Sequence, residues 1–332
     1  MTAATPFGLR APDPALEADL REGLDAVEDL LRTSVTSHVP FVTEASRHLV
    51  DAGGKRFRPM LLLLAAQFGD PRAPGVVPAA VVVELTHLAT LYHDDVMDDA
   101  SLRRGAQSAN SRWDNTVAIL TGDFLFARAS DILADLGPGP VRIQARTFER
   151  LVTGQIRETV GPAASDDPIA HYLSVVTDKT GSLIATSGRF GAMLSGASEE
   201  QVRVLTTFGE RIGVAFQLAD DLLDVASESD SSGKTPGTDL REGVPTLPVL
   251  YVRRSSDSQD GRLRELLDGD LTDASRHAEA LDLLRRHPAM AQARADAIRC
   301  AEEARAMLAR LPDIPARAAL ESLCDMVVAR SG

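Results

Sequence analysis

The clearest pattern in the chain is an apolar run that ends in acid. Val81-Val82-Val83-Glu84-Leu85-Thr86-His87-Leu88-Ala89-Thr90-Leu91-Tyr92 leads directly into His93-Asp94-Asp95-Val96-Met97-Asp98-Asp99. No Gly or Pro interrupts the span from Ala79 to Arg104, which predicts one helix entering the acidic cluster. Four residues apart on that helix, Asp94 and Asp98 share a face. Phe216-Gln217-Leu218-Ala219-Asp220-Asp221-Leu222-Leu223-Asp224 repeats the arrangement inside the run Val214–Ala226, with Asp220 and Asp224 again four apart.

The rest of the pattern is helical too. Leu16, Leu20, Leu24, Val27 and Leu31 mark an amphipathic first helix, and a second spans about His38–Val50 before Asp51-Ala52-Gly53-Gly54 stops it. Pro59 suits the first turn of a helix over Met60–Phe68. Further helices are predicted at about Asn115–Leu136, Val141–Val160, Pro168–Lys179, Ser182–Leu194 and Glu199–Ala226, with Gly137-Pro138-Gly139-Pro140 as a hard break. Ser227–Pro245 reads as a polar functional loop or lid, and Leu247–Arg330 as amphipathic helices. No strand pattern is visible, so the fold class is all-α. Met1–Pro14, rich in Ala and Pro, is expected to be disordered, and residues 15–332 to form one domain.

Composition narrows the partners. Hydrophobic residues make up 44% of the 332, enough for a large core, and aromatics only 4%, which favours helix. A formal charge of −13 argues against a general nucleic-acid binder. Cys300 and Cys324 have no partners at metal spacing, so free thiols in a reducing compartment are expected. The N-terminus lacks the basic-then-apolar order of a signal peptide, and no run is read as reaching the roughly 18 apolar residues of a membrane span. The expectation is a soluble, cytoplasmic protein.

Acidic pairs among Val, Leu and Phe are costly to desolvate unless they are paired or hold a metal. A hard cation with oxygen ligands is the natural counter-ion, and Mg²⁺ completes its octahedron with water and phosphate oxygens. The implied ligand is a diphosphate. Basic clusters alternate with the acidic motifs: Lys55, Arg56 and Arg58, then Arg103 and Arg104, then Lys179, then Lys234. Singly, each is more often a solvated surface charge. Together with the metal motifs they are what a site for two diphosphates requires. His87, about two turns before Asp94, is either a satisfied histidine or a phosphate donor.

These motifs, in this order, resemble the trans-isoprenyl diphosphate synthases, also called polyprenyl synthetases, over about Gly53 to Pro248. Gly53-Gly54-Lys55-Arg56-Phe57-Arg58-Pro59, Asp94-Asp95-Val96-Met97-Asp98, Arg103-Arg104-Gly105, Phe216–Asp224 and the loop Gly233-Lys234 with Gly237-Thr238-Asp239-Leu240 carry the resemblance. It implies an all-α isoprenoid-synthase-type bundle around a central cavity, commonly a homodimer. It implies that Lys55, Arg58, His87 and Arg104 bind isopentenyl diphosphate. Asp94, Asp98 and Asp220 would ligate Mg²⁺, with Asp224 acting through water. Arg103, Lys179 and Lys234 would contact the allylic diphosphate, and Thr180 and Gln217 would stand beside the carbon where positive charge develops. Val244 departs from the pattern, because many members have Lys there, and one diphosphate contact would be missing.

The activity so implied is condensation of isopentenyl diphosphate with an allylic diphosphate to an all-trans polyprenyl diphosphate. For product length the resemblance points to the residues before the first motif. Ala89, Thr90 and Thr86 are small, which predicts an open tunnel and a product longer than C20; the alternative is that Ala89 is small for helix packing, with the floor set by Phe124 or Phe126. Three rivals remain at this stage. They are a C15–C20 farnesyl or geranylgeranyl diphosphate synthase, a class I terpene cyclase, which needs no Gly-Gly-Lys-Arg block, and a regulatory subunit of a two-component synthase, which would have lost motif aspartates.

Overall fold

Helix starts follow local chemistry in this chain. The computed structural model describes residues 13–227 and 236–330, so most of the N-terminal stretch expected to be disordered lies outside the described residues. Asp13 caps α1 (Pro14–Ser34) by accepting the Ala15 N–H at 2.7 Å, and Pro14 occupies a first-turn position where a missing N–H costs nothing. Then come α2 (Pro40–Asp51), α3 (Phe57–Ala66), α4 (Val76–Met97), a hairpin of β1 (Leu102–Arg103) and β2 (Ala106–Gln107), α5 (Ala109–Arg112), α6 (Asn115–Leu136), α7 (Pro138–Val160) and α8 (Pro168–Val176). A π-helical turn, Thr177–Gly181, leads into α9 (Ser182–Leu194) and α10 (Glu199–Ala226). After these follow α11 (Thr238–Glu242), α12 (Leu247–Arg254), α13 (Gly261–Leu267), α14 (Ala274–Arg286), α15 (Pro288–Leu308) and α16 (Pro315–Arg330).

Several boundaries differ from the sequence reading. The helix expected to run to Arg104 stops at Met97, and a short hairpin follows where no strand was expected. The break at Gly137–Pro140 is one residue long: Gly137, at φ 96, turns the chain and Pro138 starts α7. The helix expected to end at Lys179 instead passes through the π-helical turn into α9 without a break.

The chain divides into two compact units. The first holds residues up to 148, 183–209 and 307–322. Its core is α3 and α4, apolar on every side: Leu61, Leu62, Leu64, Val81, Val82, Val83, Leu85 and Leu88 have no exposed surface. By length and composition α4 could cross a membrane, contrary to the expectation that no run is long enough, but 67% of its apolar window is buried inside the protein, as befits a core helix. Tyr92 ties α4 to α2, donating to the Ala45 carbonyl at 2.6 Å and accepting the Leu49 N–H at 3.2 Å. At Gly191, α9 crosses α3 so closely that a Cβ would overlap the Leu62 carbonyl oxygen.

The second unit holds residues 149–182, 210–306 and 323 onward. There α14 is capped by Asp273, which accepts from Ser275 and Arg276 N–H groups, and its Arg285 closes the end of α10 by donating to the Val225 carbonyl at 2.7 Å. From the same helix, buried His277 contacts the Gly237 carbonyl at 2.8 Å.

The α3–α9 crossing is testable. Gly191→Ala is expected to lower the unfolding free energy by about 2 kcal/mol through overpacking. Gly139→Ala, whose Cβ meets open space, should leave stability unchanged or raise it. Urea midpoints at constant m report both.

Candidate active site

The first acidic motif sits where α4 ends. Asp98 is the C-cap, its N–H donating to the Asp94 carbonyl at 2.8 Å. Asp99, at φ 47, turns the chain into the hairpin. Arg103 pairs with Ala106, leaving Arg104 (φ 56) and Gly105 (φ 76) as the central residues, and two-residue hairpin turns demand this left-handed geometry. The turn folds Arg103 back onto α4: its Nε donates to Asp95 Oδ1 at 2.6 Å, and its Nη2 lies 3.9 Å from Asp98 Oδ2. Asp95 is fully buried, and its Oδ2 has no hydrogen-bond partner among the described residues. Burial raises its pKa against the opposing pull of Arg103.

A cationic pocket shares this unit. Arg56, itself in the left-handed region at φ 48, is buried and held by Glu84 at 2.9 Å, by the Val50 carbonyl at 3.1 Å and by Glu28. Arg104 donates to the Leu49 carbonyl at 3.1 Å and to the Gly53 carbonyl, and lies 3.7 Å from the same Glu84. Gly54 makes room for it, since a Cβ there would run into the Arg104 guanidinium. Burial pushes the Arg58 guanidinium down to about 10, with Glu84 opposing and Arg104 adding to the shift. Arg58 stays cationic at neutral pH, and its Nε has no partner among the described residues. Burial, then Arg58, Arg104, Arg103 and Arg56, hold His87 well below the ordinary imidazole range, so it is neutral. Arg56, Arg58 and Arg104 therefore come together around Glu84, with His87 in the field of these arginines and of Arg103; Lys55 is exposed beside Arg56.

The second acidic motif and the Lys179 segment belong to the second unit. Close approach of α7 positions the π-helical turn: a Cβ on Gly154 would stand 2.8 Å from the Lys179 nitrogen. Arg150 holds Asp178 at 2.9 Å and Arg157 lies 3.6 Å from it. Lys179 Nζ reaches Glu158 at 2.5 Å, and Thr180 donates to Gln217 Oε1 at 3.0 Å. Gln217 in turn donates to Asp221 Oδ1 at 2.8 Å, and Tyr172 donates to Asp221 Oδ2. Burial pushes Asp221 up to about 6, with Asp220 and Asp224 adding and the Tyr172 and Gln217 bonds opposing. Asp224 caps α11, accepting Thr238 N–H at 3.2 Å and Asp239 N–H at 3.1 Å. Lys234 lies outside the described residues.

The donor set suits a hard cation that keeps much of its own solvation. Among the described residues no three His, Cys, Asp or Glu side chains gather as a complete metal cage. Each motif offers carboxylate oxygens, and one of them, Asp95 Oδ2, is buried without a partner. Water and phosphate oxygens would complete the coordination, as Mg²⁺ prefers.

A cavity of about 480 Å³ opens in the first unit, lined by Thr86, Phe126, Leu133, Gln144 and Phe148 among others. Thr86 is the only one of the proposed length-determining residues in its wall. Ala89, which has no exposed surface, and Thr90 are not in the lining. Phe126 and Phe148 form the aromatic wall, ring centroids 4.4 Å apart.

The sequence reading passed over Glu84, Asp95, Tyr172 and Asp221. Glu84 had a signal, as the one acid inside an otherwise uncharged run; Tyr172 had none, because its partner is 49 positions away.

Comparison with known proteins now decides the family. The model of the polyprenyl synthetase family matches residues 39–284. The chain belongs to the polyprenyl synthetase family. It is 52% identical to the nonaprenyl diphosphate synthase of Mycobacterium tuberculosis over 98% of this chain and 97% of that protein. Among solved structures it is similar to geranylgeranyl pyrophosphate synthase from Corynebacterium glutamicum, complexed with calcium and isoprenyl diphosphate, at 48% identity and TM-score 0.86 over 97% of this chain and 99% of that one. A decaprenyl diphosphate synthase from Rhodobacter capsulatus is 36% identical at TM-score 0.85, covering 96% of this chain and 99% of that one. This polyprenyl synthetase is thus a trans-prenyltransferase with the all-α isoprenoid synthase fold.

Two outcomes follow from the cationic pocket. Glu84→Ala leaves buried guanidiniums uncompensated and is expected to cost about 3–5 kcal/mol of stability, read by urea unfolding. The folded pKa of His87 lies below its unfolded value of 6.5, so the unfolded chain takes up the proton first as pH falls. Stability contributed by neutral His87 is fully present above that value and declines on acidification below it. The unfolding free energy of the wild type minus that of His87→Gln should therefore fall between about pH 7.5 and pH 5, and a flat difference would show that His87 is not held neutral.

Proposed function

We propose that this polyprenyl synthetase is a Mg²⁺-dependent long-chain enzyme. It condenses isopentenyl diphosphate with an allylic diphosphate to give an all-trans polyprenyl diphosphate longer than C20. The observation that carries the reading is the cationic pocket in the same unit as the first acidic motif. Arg58, with an unpartnered Nε, and Arg104 share one carboxylate, Glu84, which Arg56 also uses. Such a pocket calls for an anion. A terpene cyclase, which takes one diphosphate, has no use for a second diphosphate site.

Each residue then has a role. Arg58 and Arg104 grip the isopentenyl diphosphate oxygens, Lys55 joins them, and neutral His87 donates an N–H without adding charge. Asp94 and Asp98 of the first unit and Asp220 of the second would supply carboxylate oxygens to Mg²⁺. Asp224, whose two oxygens already cap α11, acts through water. When bound, the metal supplies charge neutralisation on the departing diphosphate. Arg103, Lys179 and Lys234 contact the allylic diphosphate oxygens. Thr180 and Gln217 present oxygen dipoles to the carbon that becomes positive as its C–O bond breaks. The isopentenyl double bond attacks that carbon, and a proton leaves to the released diphosphate.

Length and assembly rest on two further observations. The nonaprenyl relative and the small Thr86 in the cavity wall support a long product. Exposed Ile119 and Leu120 on α6, in the first unit, support a homodimer, because apolar exposure on a monomer is a mark of an interaction face. The enzyme works in the cytoplasm and hands its product to membrane enzymes.

Incubation with Mg²⁺, an allylic diphosphate and labelled isopentenyl diphosphate tests the reading. The label should enter polyprenyl products, Asp94→Ala and Asp220→Ala should abolish incorporation while melting normally, and Thr86→Phe should shorten the product without loss of turnover. An active Thr86→Phe enzyme with unchanged products would remove Thr86 from the tunnel wall.

A further inference from the structure

Of the three aspartates in the second motif, Asp221 is the buried one, 6% exposed. A carboxylate can only accept hydrogen bonds. Its Oδ1 takes the Gln217 Nε2–H at 2.8 Å and its Oδ2 takes the Tyr172 hydroxyl. The two ends of a glutamine amide are alike in shape, so its partners decide which way it points. With Nε2 committed to Asp221, Gln217 must turn Oε1 to its other side, where it accepts the Thr180 hydroxyl at 3.0 Å. A flipped amide would present N–H groups there. The positive end of its dipole would then oppose a developing carbocation instead of stabilising it.

We propose that Tyr172 is a positioning residue that, by holding Asp221, fixes the Gln217 amide with its carbonyl oxygen toward Thr180 and the developing allylic cation. This rests on the prenyltransferase reading and deepens it. The backbone supports the assignment. Asp221 and Gln217 lie four apart on α10 and so share a face. Tyr172 on α8 and Thr180 in the π-helical turn are eight apart, which in uninterrupted α-helix would rotate them about 80° from one another at about 100° per residue. The wider π-helical turn removes most of that offset, and both side chains reach α10. The relay is an unbroken chain: Thr180 donates to Gln217, Gln217 donates to Asp221, and Tyr172 donates to the other Asp221 oxygen.

Tyr172→Phe deletes one hydroxyl. The expected result is a kcat about tenfold lower, KM for both diphosphates within about twofold and an unchanged melting temperature, because only the transition-state contact is disturbed. An unchanged kcat, or a raised KM with kcat retained, would overturn the proposal. Should Tyr172→Phe not fold, a polarity exchange decides. Gln217→Glu alone sets two carboxylates face to face, and Asp221→Asn alone frees the Gln217 amide to flip. Combined, the new amide donates to the new carboxylate, whose other oxygen still accepts Thr180. The double variant should exceed the poorer single by about tenfold or more in kcat, and losses that simply add would overturn the relay. If the unaltered protein incorporates no labelled isopentenyl diphosphate, the prenyltransferase reading itself falls; if it does, these variants judge the relay alone.

Discussion

In the middle of α4 a single carboxylate, Glu84, stands 2% exposed with the Arg56 and Arg104 guanidiniums on it and Arg58 within electrostatic reach. The first unit's site depends on that charge. Buried cations repel one another and persist only around a counter-charge. Arg56 is fully occupied by Glu84, Glu28 and the Gly53 and Val50 carbonyls, so it belongs to the fold. Arg104 is held in part by backbone carbonyls, and Arg58 less completely, with its Nε unpartnered. Positive charge thus remains in excess beside the first acidic motif, and an anion is what it lacks. Three residues with side chains, Arg56, Asp99 and Arg104, adopt left-handed backbone angles in this neighbourhood. Packing and hydrogen bonds around them hold that strain in place.

The second unit meets the opposite difficulty, three aspartates within five residues, and gives each a different environment. Asp224 is discharged onto the backbone N–H groups that start α11. Asp221 is buried and discharged onto Tyr172 and Gln217. Asp220 is half-buried. One motif therefore holds three environments: Asp224 on the start of a helix, Asp221 buried on an amide and a hydroxyl, and Asp220 half-buried. A reading that treats its aspartates as equivalent metal ligands merges these roles. The same holds for the first motif, where Asp95 is drawn inward to Arg103 while Asp98 stays exposed at the helix end.

Much of this was legible in the chain itself. Apolar periodicity and Gly/Pro punctuation located the principal helices, because burying an apolar stripe is what orders a helix. The two acidic motifs and the basic blocks pointed to a diphosphate ligand through charge, since uncompensated carboxylates and guanidiniums each call for a partner, and the resemblance supplied the reaction. Local chemistry also fixes the N-caps at Asp13 and Asp273, although the sequence reading named neither and took Pro138 as part of a break where it starts α7. What it could not determine are the contacts that cross long gaps. Arg104, at the tip of the hairpin, reaches back 55 residues to the Leu49 carbonyl. The π-helical turn forms where Gly154 lets α7 press on Lys179. Gly122 is a glycine where a Cβ would run into the His93 ring, a fact about α4 that no reading of α6 contains. Residue types and spacing thus announced the chemistry, because charge and periodicity are local. Tertiary packing alone decided which carboxylate faces inward, which arginine is left with unmet demand and which residue walls the cavity, because each depends on a neighbour far along the chain.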